Sequence, residues 1–233
     1  MGVVAFDIKH DSNGIFGCFS EPSIPAHIFC GVSPSQPVNH LVGHRFPKKS
    51  ALVLNQSHGA NLIELSGPNT LKDLAQPADG LIVDRVIWKR DFEDRVLTIR
   101  VADCMAILIF NTQMIAMIHV GWRGLVNGII GGALRYFNSP VRAFIFPHAS
   151  AQQYEIGPEV QEQLPDTAVY TVAHHTKFLL NLGHSAANQI TAKNSKNQVF
   201  QSKICTMLDQ RFYSHRRGCQ ANQRNLLVVS DCS

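Results

Sequence analysis

The sequence predicts an α+β fold in which mixed β-sheets are flanked by helices, built as a single domain. Three observations carry that expectation. At 233 residues the chain can bury a substantial core. With 45% hydrophobic and 16% charged residues it has the composition of a packed protein, because a disordered chain needs more charge and less apolar area. Strand-like and helix-like segments follow one another without a regular strand-helix-strand rhythm, which argues against a doubly wound parallel sheet. One domain over residues 1–233, with an irregular N-terminal part over 1–48, is the expected organisation.

Pro22 to Pro37, rich in Pro, Ser and Gly, reads as an irregular excursion within that N-terminal part. Ala51-Leu52-Val53-Leu54 predicts a buried strand and Ser57-His58-Gly59 a turn. Asn61 to Leu65 predicts a second strand, closed by Ser66-Gly67-Pro68-Asn69, which places His58 at a strand end. Val96 to Val101 alternates, Ala102-Asp103-Cys104 interrupts it, and Met105 to Phe110 is a continuous apolar strand ending at Asn111-Thr112-Gln113. Met114 to Val120 returns as another strand, so His119 closes it just before a helix with Leu125, Ile129, Ala133 and Phe137 on one face. Gly124, Gly128, Gly131 and Gly132 weaken that helix and imply close packing on a sheet. Val141 to Phe146 reads as a strand, Pro158 to Leu164 as a short helix, and Leu179 to Lys193 as a helix with Leu182, Ala186 and Ile190 inward. Strands over Val199 to Cys205 and Asn225 to Ser230 close the chain.

Several functional classes are set aside. The N-terminus lacks the basic start and apolar stretch of a secretory signal, so a cytoplasmic location is expected. Met1-Gly2 lacks the Ser or Thr that myristoylation needs at the sixth position, where Phe6 stands. No apolar run approaches the roughly 20 residues of a membrane span. Six cysteines without a Cys-x-x-Cys pair predict reduced thiols rather than a disulfide scaffold. The net charge is +4, and the one dense basic cluster is His215-Arg216-Arg217. That suits a local anion site better than a nucleic-acid surface. A small-molecule ligand and a monomer or homodimer, with no membrane and no nucleic acid, are the expected partners.

His58, Cys104 and His119 stand at the boundaries of strong apolar strands, where a sheet can present side chains to one cleft. Imidazole and thiolate both bind zinc, and three protein ligands leave the open fourth position of a catalytic site. Spacing alone also allows a plain reading, with Cys104 as a small core residue and each His as a hydrogen-bonding one. A thiol hydrolase with Cys104 as nucleophile and His119 as its base is a third.

Five segments in order narrow these choices: Asn55-Gln56-Ser57-His58-Gly59, Ala78-Asp79-Gly80, Ala102-Asp103-Cys104, His119-Val120-Gly121-Trp122-Arg123-Gly124-Leu125 and Tyr154-Glu155-Ile156-Gly157. Phe212-Tyr213-Ser214-His215-Arg216-Arg217 adds a sixth. From about Leu52 to Val229 the chain resembles the multicopper polyphenol oxidase (laccase-like) family, also described as purine nucleoside phosphorylases and as peptidoglycan-editing factors. The resemblance implies a mixed-sheet α/β sandwich and a zinc site of His58, Cys104 and His119. It also implies phosphorolysis of adenosine, inosine or methylthioadenosine, with adenosine deamination as a companion activity.

For deamination, a zinc-activated water attacks the purine while Glu155 or Asp103 carries the proton, although either carboxylate could instead cap a turn or a helix. For phosphorolysis, Arg123, Arg216, Arg217 and Arg224 are the pool of phosphate-binding cations, with a solvated basic face as their alternative. Trp122 either stacks on a base or packs in the core. Copper is a possible substitute for zinc and would support phenol oxidation. A four-copper oxidase is excluded, because the chain has no His-x-His pair. The remaining alternatives are amide hydrolysis on a peptidoglycan precursor and a non-catalytic purine-binding descendant. Departures from the family pattern fall at the substrate rim, where Phe146 precedes Pro147 and Asn222-Gln223 precede Arg224. The N-terminal helix is expected to be shortened to His40 to Lys49.

Overall fold

A computed structural model of the chain describes residues 5–11, 14–20, 26–32, 38–174, 176–218 and 224–230. Its strands and helices run in the order β1 (Phe6–Asp11), β2 (Gly14–Phe19), β3 (Ala26–Val32), α1 (Val38–Arg45), β4 (Ser50–Val53) and β5 (Leu62–Leu65), then a 3₁₀ segment (Pro68–Ala75). Next come β6 (Gly80–Asp84), α2 (Arg85–Asp91), β7 (Arg95–Val101), β8 (Met105–Phe110), β9 (Met114–Val120), α3 (Trp122–Val126), α4 (Ile129–Leu134) and β10 (Arg142–Ile145). The chain continues with β11 (Glu155–Ile156), α5 (Pro158–Gln161), β12 (Tyr170–His174), β13 (Lys177–Leu180), α6 (Leu182–Lys193), β14 (Gln198–Gln201) and β15 (Arg224–Val229).

Two six-stranded sheets, ordered β1-β2-β3-β15-β7-β4 and β14-β10-β8-β9-β6-β5, carry the fold, and a three-stranded sheet β11-β13-β12 adjoins them. Pairing is mixed: β4 with β7, β5 with β6 and β10 with β14 are parallel, while β8 with β9 and β6 with β9 are antiparallel. The inner faces meet in a core holding Leu52, Leu97 and Ile99 from the first sheet and Leu81, Leu108 and Phe144 from the second. The outer face of the second sheet, including Met105, Ile107 and Ile118, is covered by Leu125, Ile129, Ala186 and Ile190 from α3, α4 and α6. Val42 of α1 packs with Val96, Leu226 and Val228 on the outer face of the first. The layers are therefore helix, sheet, sheet and helix. All six residues of β8 are buried because both faces of its sheet are covered, which explains its unbroken apolar run. No helix among the described residues is long and apolar enough to cross a membrane.

Several sequence expectations are corrected. The part over 1–48, expected to be irregular, contributes three strands of the first sheet and a helix, and β3 lies inside the Pro22 to Pro37 stretch. Alternation in β1 aims Phe6 and Ile8 at the inner core, a signal weakened by the short, polar-flanked strand. The helix expected from His40 to Lys49 runs from Val38 to Arg45. The helix expected after Trp122 is two helices, because Gly128 takes a left-handed conformation (φ 75°) at the N-cap of α4. Its apolar face survives the break, since Leu125, Ile129 and Ala133 stay in one core cluster with Phe137 against it. Leu179 and Leu180 belong to a strand rather than to α6, which Asn181 caps by accepting the His184 N–H at 3.0 Å. The strand expected to reach Cys205 ends at Gln201. Phe146, expected at a substrate rim, is fully buried, with its ring edge-on to Phe6 and Phe19.

Phe144 lies at the centre of the inner core, stacked on Phe200 with centroids 4.7 Å apart and edge-on to Phe19 at 5.1 Å. Phe144→Ala is expected to lower stability by about 3–5 kcal/mol through the cavity it leaves, read as a shift of the urea midpoint at unchanged slope.

Candidate metal centre

Register brings the site together. Gly80 pairs with Ile118 and Ala106 pairs with His119, so the start of β6, the end of β9 and the start of β8 lie at one end of the second sheet. Asp79, His119 and Cys104 occupy those three positions. His58 arrives from the connection between β4 and β5, in the loop rather than at a strand end, and is left-handed (φ 62°).

Asp79 organises the cluster. One oxygen accepts the His58 N–H at 2.9 Å and the Nδ1 proton of His119 at 2.8 Å. The other accepts the Gly59 N–H at 2.7 Å, the Ser57 hydroxyl at 2.9 Å and the Ser57 N–H at 3.2 Å. Burial alone would raise the pKa of this carboxyl, but the His119 ring and the donors of the 57–59 loop hold it well below the usual range. With Nδ1 engaged, His119 presents Nε2 to the cluster, the arrangement by which a carboxylate orients a metal-binding imidazole.

The donor atoms of His58, Cys104 and His119 all lie within 4.8 Å of one another, and no other group of three such side chains occurs among the described residues. Tetrahedral zinc with these bond lengths needs donors about 3.5 Å apart, so the set fits after a small closure. The chemistry fits as well. Burial opposes ionisation of Cys104, yet hydrogen bonds from His119 and His58 bring the thiol down to about 6. Burial likewise opposes charge on His119, but Asp79 and Cys104 raise it to about 9. Gly121 closes the back of the site, since a Cβ there would meet the Cys104 sulfur at 2.8 Å.

The other expected residues separate into distinct roles. Asp103, left-handed at φ 84°, is buried, and its carboxylate accepts from the Thr206 hydroxyl (2.8 Å), the Ser214 hydroxyl (3.0 Å) and the Arg216 N–H (2.7 Å). Glu155 lies in β11 rather than at a helix N-terminus and pairs with Lys177 at 2.6 Å. The Arg217 guanidinium donates to the carbonyls of Thr206, Met207 and Phe212. Arg123 stacks on Trp122 at 4.5 Å. Arg224 lies on β15 near Arg100, whose pKa is lowered by burial and then by that neighbouring charge. Asn222 and Gln223 fall outside the described residues. The Arg216 side chain donates to the Glu155 carbonyl at 3.0 Å and lies 4.9 Å over the Tyr154 ring.

A cavity of about 540 Å³ is lined by Trp122, Glu155, Glu159, Thr176, Lys177 and Arg216 among others. None of the three donors is in its lining; Arg216 of its wall lies over the Tyr154 ring, which in turn feels the charge of Cys104. Trp122 both packs against the outer core and lines this cavity. Two residues with parts in the site had no role assigned from sequence. Asp79 stands in a segment that carries the resemblance, but its partners are distant in the chain. Tyr154 is buried near Cys104, and burial followed by that thiolate's charge raises its pKa, keeping the phenol protonated.

Comparison with known proteins identifies the family and the fold. The family model for multi-copper polyphenol oxidoreductase laccases matches residues 38–229. The chain belongs to that family. A purine nucleoside phosphorylase of Xylella fastidiosa (strain 9a5c) is 27% identical over 192 residues, covering 77% of this chain and 72% of that one. The purine nucleoside phosphorylase YfiH of Escherichia coli (strain K12) is 25% identical over 174 residues, covering 70% and 67%. The fold matches crystal structures of YlmD from Geobacillus stearothermophilus (TM-score 0.74, 20% identity, covering 96% and 98%) and of a Neisseria meningitidis protein (TM-score 0.70, 19% identity, covering 97% and 99%).

Two predictions follow from the electrostatics. In metal-free protein, the depressed Cys104 thiol contributes stability above its ordinary value of 9.0 that is lost as pH falls through about 6. The raised His119 contributes stability below its ordinary 6.5 that is lost as pH rises through about 9. A thiolate-imidazolium pair therefore persists between about pH 6 and about 9. Alkylation of Cys104 is expected to switch on near pH 6, and in His119→Gln at a clearly higher pH; identical profiles would refute the pairing. Asp79→Asn is expected to weaken zinc affinity by about 10–100-fold, measured by competition with a chromogenic chelator, because His119 loses its orienting carboxylate.

Proposed function

We propose that this chain is a zinc-dependent purine nucleoside phosphorylase in which His58, Cys104 and His119 hold one metal ion. The observation that carries the reading is the three-donor cluster of His58, Cys104 and His119, which Tyr154 links to Arg216 in the wall of a cavity that Trp122 also lines. The names of the relatives in Xylella fastidiosa and Escherichia coli support it. A zinc ion held by His58, Cys104 and His119 would supply Lewis acidity.

In the reaction, a purine lies against Trp122 and a phosphate oxygen attacks C1′ of the ribose. The bond from C1′ to the purine nitrogen breaks, its electron pair leaves with the base, and the phosphate proton passes to that base. Free purine and ribose 1-phosphate result. Arg216 supplies fixed positive charge to the phosphate oxygens. Arg217 contributes by holding the chain around Arg216 through the carbonyls it binds.

Two further readings have their own observations. Glu155 reaches the cavity while the Asp103 carboxylate takes three donors, so Glu155 is the proton carrier if adenosine is deaminated. The hydrogen bonds from His119 and His58 to Cys104 also suit a thiol nucleophile acting without metal. The cluster's sulfur and nitrogen donors accept copper as well as zinc.

The test is metal analysis by mass spectrometry of protein purified without added metal, beside a His58→Ala, Cys104→Ala double variant. About one zinc per wild-type chain is expected. Release of free base from adenosine, inosine or methylthioadenosine should require phosphate and fall at least about 100-fold in the variant. Inosine formed from adenosine without phosphate would point to deamination. Turnover that survives a chelator but not alkylation would replace the metal reading with the thiol one.

A further inference from the structure

The hairpin of β12 and β13 brings Lys177 to the cavity wall, where its ammonium pairs with Glu155 Oε1 at 2.6 Å. The backbone carbonyl of the same Glu155 takes the Arg216 guanidinium at 3.0 Å. Two cations are thus anchored to one residue and line one cavity, with Thr176 in the same wall. Their present partners are unequal. Arg216 contacts a carbonyl and the face of Tyr154, neither of which carries a charge, whereas Lys177 contacts a carboxylate. Glu159, the other acid of the wall, turns its carboxylate back over Gly157. The Lys177–Glu155 pair is solvent-exposed, with side chains 53% and 42% accessible, so it gains little from its own contact and exchanges partners at low cost.

We infer that Lys177 and Arg216 form the subsite for inorganic phosphate, with the Glu155 carboxylate holding Lys177 in place until the anion takes it over. This rests on the phosphorylase reading and assigns Lys177 to its second substrate. A tetrahedral dianion suits the pair, because Arg216 offers a planar fork and Lys177 a mobile point charge that swings from one oxygen acceptor to another. Glu155 then acts on phosphate as a competitor rather than as a ligand. The two partners of one ion pair should therefore have opposite effects when removed, which a purely structural staple between β11 and β13 would not produce.

The experiment measures steady-state phosphorolysis by the zinc-loaded full chain with phosphate and nucleoside varied in turn, alongside equilibrium dialysis of inorganic phosphate. Lys177→Met is expected to raise KM for phosphate and weaken phosphate binding by about tenfold, at unchanged KM for nucleoside and unchanged zinc content. Glu155→Gln is expected to lower KM for phosphate. Lys193→Met, at the exposed end of α6, serves as the control for lost surface charge. Thermal melts verify that each variant is folded. If both Lys177→Met and Glu155→Gln leave KM for phosphate unchanged, or shift it in the same direction, the inference is overturned while the phosphorylase reading stands. If the wild type releases no base in the presence of phosphate, the phosphorylase reading itself fails. Phosphate dialysis then decides the subsite alone: equal binding to wild type and Lys177→Met overturns it.

Discussion

The Asp79 carboxylate is the constraint on which the candidate site depends. It is a single buried group with five donors, three from the 57–59 main chain, one from a hydroxyl and one from an imidazole. A loop from between the two sheets is thereby fixed against a strand end, and His58 and His119 acquire their relative position from one acceptor. Buried carboxylates are costly unless their lone pairs are satisfied, and here satisfaction and positioning are the same set of bonds. A neutral amide at this position could keep the shape of the loop but would lose the charge that favours a proton on His119 Nδ1.

The second anchor is Asp103, and it reaches further along the chain. Asp79 gathers the 57–59 loop from about twenty residues earlier and His119 from forty later, whereas Asp103 gathers Thr206, Ser214 and Arg216 from more than a hundred residues later. Those bonds fix the C-terminal segment near Cys104 and hold Arg216 at the cavity that Trp122 also lines. The neighbouring Arg217 turns the other way, onto carbonyls of its own segment. Adjacent arginines thus divide the labour, one stiffening the loop and the other facing the cavity. The sequence shows only a basic pair, because a guanidinium's partner is decided by tertiary packing.

The same distinction explains how much of the structure is legible in the sequence. Strands β8 and β9 can be read because covering both faces of a sheet demands unbroken apolar runs, and the turn between them carries Asn111, whose Oδ1 accepts from the N–H groups of Gln113 and Met114. Strands β12 and β13 cannot, since they are short, partly exposed and polar at their junction. Leu179 and Leu180 match a helical face as well as a strand until Asn181 is seen to cap α6. Cys104 and His119 are readable as chemistry at strand ends and converge through the register of β8 and β9, whereas His58 joins them from a loop that Asp79 holds by its main chain. Phe146 misleads, because a departure from a family's motif marks a different core packing as readily as a different rim.

Backbone strain shows how far the site is built in advance of any ion. His58 and Asp103 are both left-handed, and each such residue costs roughly 1–2 kcal/mol. One immediately precedes Cys104, and the other is itself a candidate ligand. Hydrogen bonds to a charged acceptor contribute about 1.5–3 kcal/mol each, so the bonds to Asp79 and Asp103 outweigh that strain without help from a metal. In small zinc-dependent domains the ion supplies the folding energy; here two sheets and two carboxylates supply it. An ion entering this site would meet donors already gathered, with the thiol ionised and one imidazole oriented. The remaining cost would be largely displacement of the proton shared between His119 and Cys104, so that any metal uptake would depend on pH.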